Sequence, residues 1–315
     1  MPVAPPAPPS PLPPYQKKPL TTDELLYRLL QRNLLIDNRQ EAENLMEYAG
    51  YFRLLIYMRK FQGTGGNFRY LTKFSHIGAL YRFDQLLREL TMSAIERIEV
   101  GLRATMSNAL AMKHGPHWFF DSRNFEDPIV HHEVLDQIIK ATSNRKNIAL
   151  RHYFENYSDP KLPPVWLSLE RLTFGALSKM FSNLSLANRK LVAEKWSIKS
   201  INMEEYLLVS WFRSAVDLRN VCAHHSRIWD GKITTNLPRQ SPNFPGDFSG
   251  MTSHYYNRAC VLLLLLGVLG HGQWWKTSLA KLLSDCDHVD PVTDLGFKGT
   301  WKTSKLWGLQ WMPVR

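Results

Sequence analysis

The residues best suited to chemistry lie in one run of the chain, Val216 to Gly231, which reads VDLRNVCAHHSRIWDG. Four residues separate Arg219 from His224, and no other arginine of the chain is followed by a histidine at this spacing. Asn220 follows the arginine directly, and His225 follows the first histidine. The spacing alone is weak evidence, but the polar neighbours make this run a candidate functional site.

Helical geometry determines which of these side chains share a surface. Asp217, Asn220 and His224 follow each other at intervals of three and four residues, so they project from one face of a helix. Asp217 or Asn220 can therefore hydrogen-bond to the His224 imidazole and select its tautomer. Arg219 lies about 140° round the helix axis from His224. We expect both to reach one ligand only if the helix end unwinds there or a second subunit contributes.

These side chains are the groups that RNA cleavage without a metal ion needs. The ribose 2′-OH must lose a proton to attack the adjacent phosphorus, and the 5′ oxygen must gain one as it leaves. Imidazole, with an ordinary pKa of about 6.5, suits either proton transfer. The Arg219 guanidinium can hold the phosphate and stabilise its developing charge. Alternatively, Arg219 pairs with a carboxylate and His224 caps the helix C-terminus, where a cation is favoured. The motif alone leaves both interpretations open.

A second candidate surface lies near the C-terminus, where lysines alternate with tryptophans. The interleaved residues are Lys298, Trp301, Lys302, Lys305, Trp307 and Trp311. Tryptophan faces can stack on unpaired bases while lysines contact phosphates. The same rings can instead be buried and hold a tail onto the core. We favour the buried anchor, and we keep the three lysines and Trp301 as candidate RNA-binding residues.

No metal site or cofactor is predicted. The run His131-His132-Glu133 lacks a second ligand at the helical spacing of an H-E-x-x-H motif.

The elements that position these residues are helices. Apolar residues recur at helical spacing and alternating β-branched runs are nearly absent, so the sequence predicts an all-α fold. Capping boxes at Thr21–Glu24 and Asn38–Glu41 begin the first two helices, the second running toward Ile56. A helix from about Ser75 to Lys113 is long enough that it must kink or pack against another subunit. Further helices are predicted at about 129–142, 146–157, 165–184, 186–196, 202–225, 252–270 and 276–286.

The composition restricts the class of partner that the chain is expected to bind. The chain has 315 residues and a net charge of +11, which favours a polyanion, either nucleic acid or an anionic membrane. The most apolar run, Ala259 to Gly270, is shorter than the roughly 20 residues that a membrane span needs, so it predicts a buried core helix. Three cysteines without a CxxC pair fit a reducing cytosol, and no secretory signal is recognisable. We therefore expect a cytoplasmic protein whose partner is RNA and not a membrane.

Proline content indicates three regions. Residues 1–20 are rich in proline and predict a disordered arm. Residues 21–158 are predicted as an N-terminal helical region with the long helix. Residues 159–315 form a C-terminal helical region that carries the motif, and Pro160–Pro164 mark the boundary.

At the motif, the sequence resembles the HEPN superfamily, whose ribonucleases carry an arginine and a histidine separated by four to six residues. Over about residues 20–310 it resembles the Abi-type (AbiD/AbiF-like) abortive-infection proteins. The blocks that carry this resemblance are YAGYFR at 48–53, LYRFDQLLR at 80–88, IERIE at 95–99 with Leu102-Arg103, PVW at 164–166 with FGAL at 174–177, and Arg219 through Trp229. Each block is weak alone, but the ordered series is fairly specific. The proline-rich arm departs from the family pattern.

The resemblance implies an all-α, HEPN-like helical bundle with an N-terminal helical extension and one long helix. It implies a metal-independent endoribonuclease that acts as the toxin or effector of a bacterial abortive-infection, phage-defence or toxin–antitoxin system. Carried over by position, Arg219 and His224 become the catalytic pair and Asn220 a supporting residue. Asp217 joins them because it shares the helix face. From proximity alone we add His225 as a supporting residue and Arg227 as an RNA contact.

The resemblance also implies partners. Homodimerisation brings two motifs into one cleft, and some relatives are paired with a structured small RNA that acts as antitoxin. Two other functions stay open: a non-catalytic RNA-binding protein that grips RNA with the motif, and a helical protein-interaction module that uses the long helix.

Overall fold

The structure is a computed structural model that describes residues 14–144, 146–197 and 201–311. It is mostly helical and holds no β-strand in these ranges, so the all-α prediction is confirmed. The α-helices of the described residues are α1 (Thr22–Leu30), α2 (Arg39–Tyr48), α3 (Tyr51–Met58), α4 (Phe74–His114), α5 (Pro128–Thr142), α6 (Ile148–Asn156), α7 (Val165–Ser168), α8 (Phe174–Asn183), α9 (Leu186–Lys195), α10 (Glu205–Ala223), α11 (Tyr255–Val268), α12 (Gly272–Ser284), α13 (Pro291–Leu295) and α14 (Lys305–Gly308).

The chain divides into two compact units, residues 1–81 and 82–315. The predicted boundary between residues 158 and 159 lies inside the second unit, which holds every candidate site residue. Residues 14–20 of the predicted arm have no regular secondary structure, and its residues 1–13 lie outside the described ranges.

Capping determines where the helices of the first unit begin. The Thr21 hydroxyl accepts a hydrogen bond from the Glu24 N–H, and the Glu24 carboxylate accepts one from the Thr21 N–H. This reciprocal pair confirms the first predicted capping box. At α2, the Asn38 side chain accepts the Glu41 N–H.

The prediction of a single helix from Asn38 toward Ile56 is wrong, because the structure has two helices there. Gly50 adopts a φ of 85° between α2 and α3. This conformation cannot continue a right-handed helix, and glycine adopts it without a steric penalty.

The long helix α4 runs uninterrupted for 41 residues, in agreement with the predicted bounds. Its apolar stripe, which follows helical spacing, is buried at all positions but Leu90, which is half-buried; the buried positions are Ile77, Leu80, Leu87, Ala94, Ile98, Leu102 and Met106. In the second unit, the hydroxyl oxygens of Thr91 on α4 and Tyr255 on α11 lie 2.8 Å apart. Burial raises the pKa of Tyr255, so its hydroxyl stays protonated in this contact. The stripe of α4 is therefore part of the core.

The helix predicted over residues 165–184 is broken in the structure. It consists of α7, a 3-10 turn at Leu169–Arg171, and α8. Arg103 of α4 binds the carbonyl groups exposed by this break, with Nε 3.0 Å from the Leu169 oxygen and Nη2 3.1 Å from the Leu172 oxygen. A partly buried guanidinium thus occupies the interruption. The other predicted helices of the second unit agree with the observed ones to within about one turn.

The apolar run near residue 260 lies in the core, as predicted. In α11, all residues except the last one, Val268, are buried. None of the helices in the described ranges combines the length and the apolar character that crossing a membrane requires.

The C-terminal tryptophans anchor the end of the described chain. Trp301, Trp307 and Trp311 are buried, and the ring centroids of the first two lie 5.1 Å apart in an edge-to-face arrangement. Trp311 packs on Gly267 so closely that a Cβ added at that glycine would lie 1.9 Å from the indole ring. The absence of a side chain at Gly267 therefore creates the space for this ring.

We expect Gly267→Ala to lower the free energy of unfolding by about 1–3 kcal/mol, because the Trp311 ring must move. This loss should exceed the gain from alanine as a better helix former. Gly299→Ala is the matched control, since a Cβ there meets no atom within 4 Å. Urea denaturation followed by tryptophan fluorescence measures both variants, and equal stabilities would contradict the packing described.

Candidate functional site

Helix α10 carries the motif, and its sequence determines which face is buried. The buried residues are Leu207, Leu208, Trp211, Phe212, Ser214, Ala215, Leu218 and Cys222. On the other side, Asn220 and His224 are exposed and Asp217 is half-buried. The helix therefore presents these three polar side chains on one accessible face, as the spacing predicts.

The helix stays wound through the motif. The His224 N–H donates to the Asn220 carbonyl at 3.0 Å, as in the helix interior. The N–H groups of His225 and Ser226 then donate at 2.9 Å to carbonyls of the preceding turn, and His225 has a φ of 56°. These two bonds with a left-handed residue form a Schellman ending. Unwinding therefore begins at His225, so Arg219 and His224 keep their helical separation.

The Arg219 side chain is directed to Asn220. Its Nη1 lies 3.3 Å from the Asn220 side-chain oxygen, and it forms no ion pair with a carboxylate in the described part of the chain. His224 occupies the C-cap position. Its exposed imidazole has no hydrogen-bond partner within the described ranges. The alternative interpretation was that Arg219 pairs with a carboxylate and that His224 caps the helix. The described residues provide no such carboxylate for Arg219, but His224 does occupy the C-cap position.

Asp217 is held by a loop and not by His224. The Asn236 side-chain nitrogen donates to Asp217 Oδ2 at 2.9 Å. The loop is held in turn by Arg258 of α11, whose Nη2 lies 3.1 Å from the Ile233 oxygen and 2.9 Å from the Thr235 oxygen. Burial lowers the pKa of Arg258 to about 10, and the Asp217 carboxylate opposes that decrease. The Asp217 carboxylate therefore favours the charged form of the buried Arg258 side chain.

The segment after the motif is anchored by Asp84 of α4. The Asp84 Oδ1 atom accepts hydrogen bonds from the N–H groups of Ile228 at 3.0 Å and Trp229 at 2.7 Å. Its Oδ2 atom pairs with the Arg88 guanidinium one turn along α4. Both charged side chains are buried. One carboxylate thus binds two backbone donors and a cation, which fixes the chain just past His225.

Cys222, between Arg219 and His224, is not a nucleophile. Burial raises the pKa of its thiol to about 12, while Arg88 lowers it slightly and Asp84 raises it. The thiolate needed for attack is therefore scarce at neutral pH.

The remaining candidate residues, Arg227 and the C-terminal lysines, contact other parts of the chain. Arg227 is half-buried, with Nη2 3.0 Å from the Asp230 carbonyl oxygen and its guanidinium 5.4 Å from the Trp229 ring centroid. Lys298 and Lys305 donate to the carbonyl oxygens of Gly246 and Asn243.

Trp301 is buried against Phe297 and Trp307, which matches the anchor interpretation, and Lys302 is exposed above its ring. The structure does not bring these tail residues to the motif through any hydrogen bond or ring contact that it describes.

Sequence reasoning missed the residues that hold the motif in place. Asp84 and Arg88 are four residues apart among buried apolar positions, which is the available signal for a buried ion pair. Arg258 lies in the apolar run that forms α11, where a lone cation is a second signal. Asn236 lies in a loop without a recognisable pattern.

The fold and the site define a helical protein that carries a half-buried arginine and an exposed asparagine and histidine at the end of one helix. The model of the family described as Abi-like protein matches residues 44–230 of this chain, from before α3 to the end of the anchored segment. The match covers more than half of the chain, and the chain therefore belongs to this family. Membership suggests a function in abortive infection, the bacterial defence against phage, and the family is loosely associated with nuclease-like activity. The searches of curated proteins and of solved structures found no match.

We expect Asp84→Ala to lower the free energy of unfolding by about 3–5 kcal/mol, because Arg88 and two backbone N–H groups lose their buried acceptor. Asp23→Ala is the control, since Asp23 pairs with Arg39 at the surface and its loss should cost less than about 1 kcal/mol. Urea denaturation of the full chain measures both. A loss for Asp84→Ala no larger than the control's would contradict the anchoring role.

Proposed function

We propose that this protein is a metal-independent endoribonuclease of the HEPN type that acts as the toxin or effector of an abortive-infection or toxin–antitoxin system. The observation that carries the proposal is the position of half-buried Arg219 and exposed Asn220 and His224 at the anchored end of α10, in a member of the Abi-like family. The net charge of +11 suits an RNA substrate.

In the proposed reaction, the His224 imidazole takes the proton of a ribose 2′-OH, whose oxygen attacks the adjacent phosphorus. The bond from phosphorus to the 5′ oxygen breaks, and that oxygen gains the proton that the His224 imidazolium now carries. The products carry a 2′,3′-cyclic phosphate and a 5′-OH. Because His224 is exposed and has no described partner, its ring nitrogens are accessible to such a substrate.

Arg219 binds the phosphate that reacts. Its planar guanidinium can donate two hydrogen bonds to phosphate oxygens and stabilise the charge that builds up during attack. The contact to Asn220 holds the guanidinium at the helix surface. Asn220 is therefore proposed as the residue that orients Arg219.

Two copies of the chain are proposed to complete each other's sites, so that a dimer has two. The helix is wound as far as His224, so Arg219 and His224 of one copy point about 140° apart. A homodimer that pairs the two ends of α10 brings the arginine of one copy to the histidine of the other. His225 and Arg227 lie beside this pair as further substrate contacts. Asp217 supports the pair from the helix face that carries His224.

We also propose that a cognate small RNA controls the activity of the toxin.

We expect Arg219→Ala and His224→Ala each to lower RNA cleavage at least about 100-fold, because each removes a group needed in the transition state. His225→Asn is the control. Asparagine tolerates the left-handed conformation of this position, so the helix ending is kept and the loss should be much smaller. The assay measures cleavage of labelled RNA by the purified full chain with EDTA present, together with growth inhibition in bacteria.

Unchanged cleavage and toxicity in the double variant would contradict the catalytic assignment. Tight RNA binding without cleavage of varied substrates would instead favour the non-catalytic RNA-binding protein.

A further inference from the structure

Two neighbouring recesses lie along the accessible face of α10. One has a volume of about 340 Å³ and the other of about 280 Å³, and both are lined by Ser182, Arg213 and Asn236. The first extends toward Tyr206 and Arg239, and the second extends toward Asp217. Since they share three lining residues, we treat them as one feature, the α10 groove.

The α10 groove leads to the motif. Tyr206, Ser210, Arg213, Asp217, Asn220 and His224 follow each other at intervals of three or four residues. At this spacing they lie along one face of the helix. The first four line the groove, and the last two are exposed at its end. Arg213 and His224 are about 16 Å apart along the helix axis.

Two cations of the α10 groove have no acidic partner. Arg213 is exposed and forms no hydrogen bond or ion pair within the described ranges. Arg239 is exposed as well, and its guanidinium lies 5.6 Å from the Tyr206 ring centroid without a carboxylate in contact. By contrast, Arg189 is paired with Glu126 and Lys179 with Glu133. The groove therefore offers two guanidinium groups to an anionic ligand.

The acidic residues of the α10 groove do not block this path. Glu126 is neutralised by its pairing with Arg189. Asp217 accepts a hydrogen bond from Asn236, and its carboxylate interacts electrostatically with buried Arg258. Glu205 has no partner in the described part of the chain, and it lies at the start of α10, the end away from the motif. An anionic ligand should therefore run from Arg239 and Arg213 toward His224 and avoid Glu205.

We infer that the α10 groove binds the sugar–phosphate backbone of single-stranded RNA next to the cleaved bond. This inference rests on the proposed function, because it assigns the flanking nucleotides of that substrate. Arg213 and Arg239 contact phosphates, and the Tyr206 ring, with the Arg239 guanidinium 5.6 Å from its centroid, offers a surface for an unpaired base. The recesses are too small to admit a duplex. At about 3.4 Å per stacked nucleotide, the path from Arg213 to His224 holds about five nucleotides.

The test measures binding of fluorescein-labelled oligouridine to the full chain on a His224→Ala background, which prevents cleavage. The variants are Arg213→Gln and Arg239→Gln, and the control is Arg151→Gln, an exposed arginine of α6 outside the groove. Titrations at about 50 to 200 mM salt give the dependence of affinity on salt. Oligomers of about twelve and about three nucleotides separate groove contacts from motif contacts.

For the longer RNA, each groove variant should lower the affinity about three- to tenfold and reduce the salt slope by about 0.7. Arg151→Gln should change neither quantity beyond about twofold. Glu205→Gln should raise the affinity, because it removes a like charge. None of these changes should affect the short RNA.

Parental binding of the longer RNA by both groove variants would overturn the inference, even if cleavage still depends on His224. The inference would also be overturned if the full chain bound an acidic peptide more tightly than it binds the longer RNA of equal net charge. If RNA is never cleaved but its binding still depends on Arg213 and Arg239, the groove is supported and the proposed function fails. The two proposals can therefore be distinguished.

Discussion

The buried carboxylate of Asp84 is the interaction on which the geometry of the site depends. It accepts two backbone N–H groups, from Ile228 and Trp229, and pairs with Arg88. A buried carboxylate is tolerated only when its oxygens are fully bound, so the segment after the motif cannot leave without a large free-energy cost. The polar residues Asn220 and His224 can therefore be exposed at the end of α10 while the backbone of the motif stays ordered.

Helix geometry imposes the second constraint. Because the hydrogen bonds of α10 continue to His224, Arg219 and His224 leave the helix axis in directions about 140° apart. Asn220 binds the arginine instead of the histidine, and Asp217 binds Asn236. Each polar residue that was expected to assist His224 within one copy thus has another partner. In the proposed reaction His224 acts with the arginine of a second copy, and the same wound helix gives the α10 groove a continuous face that leads to His224.

Local signals in the sequence were sufficient to predict most helices and to identify Arg219, Asn220 and His224 as candidate site residues. The periodic apolar stripe of α4, the Thr21–Glu24 capping box and the buried α11 could all be predicted, because each depends on residues within a few turns. The helix break at Gly50 was missed since one glycine does not by itself exclude a helix. The contact of Asp84 with Ile228 was also missed, because it joins residues 144 positions apart and no local pattern encodes it.

The measurement that tests the central claim most directly uses two inactive variants together. Arg219→Ala and His224→Ala chains are co-expressed with different tags, and mixed dimers are purified through both tags. If each site takes its arginine from one copy and its histidine from the other, a mixed dimer has one intact site and should cleave RNA at about half the parental rate. Mixed dimers as inactive as either variant alone would contradict the claim that the two residues act across copies.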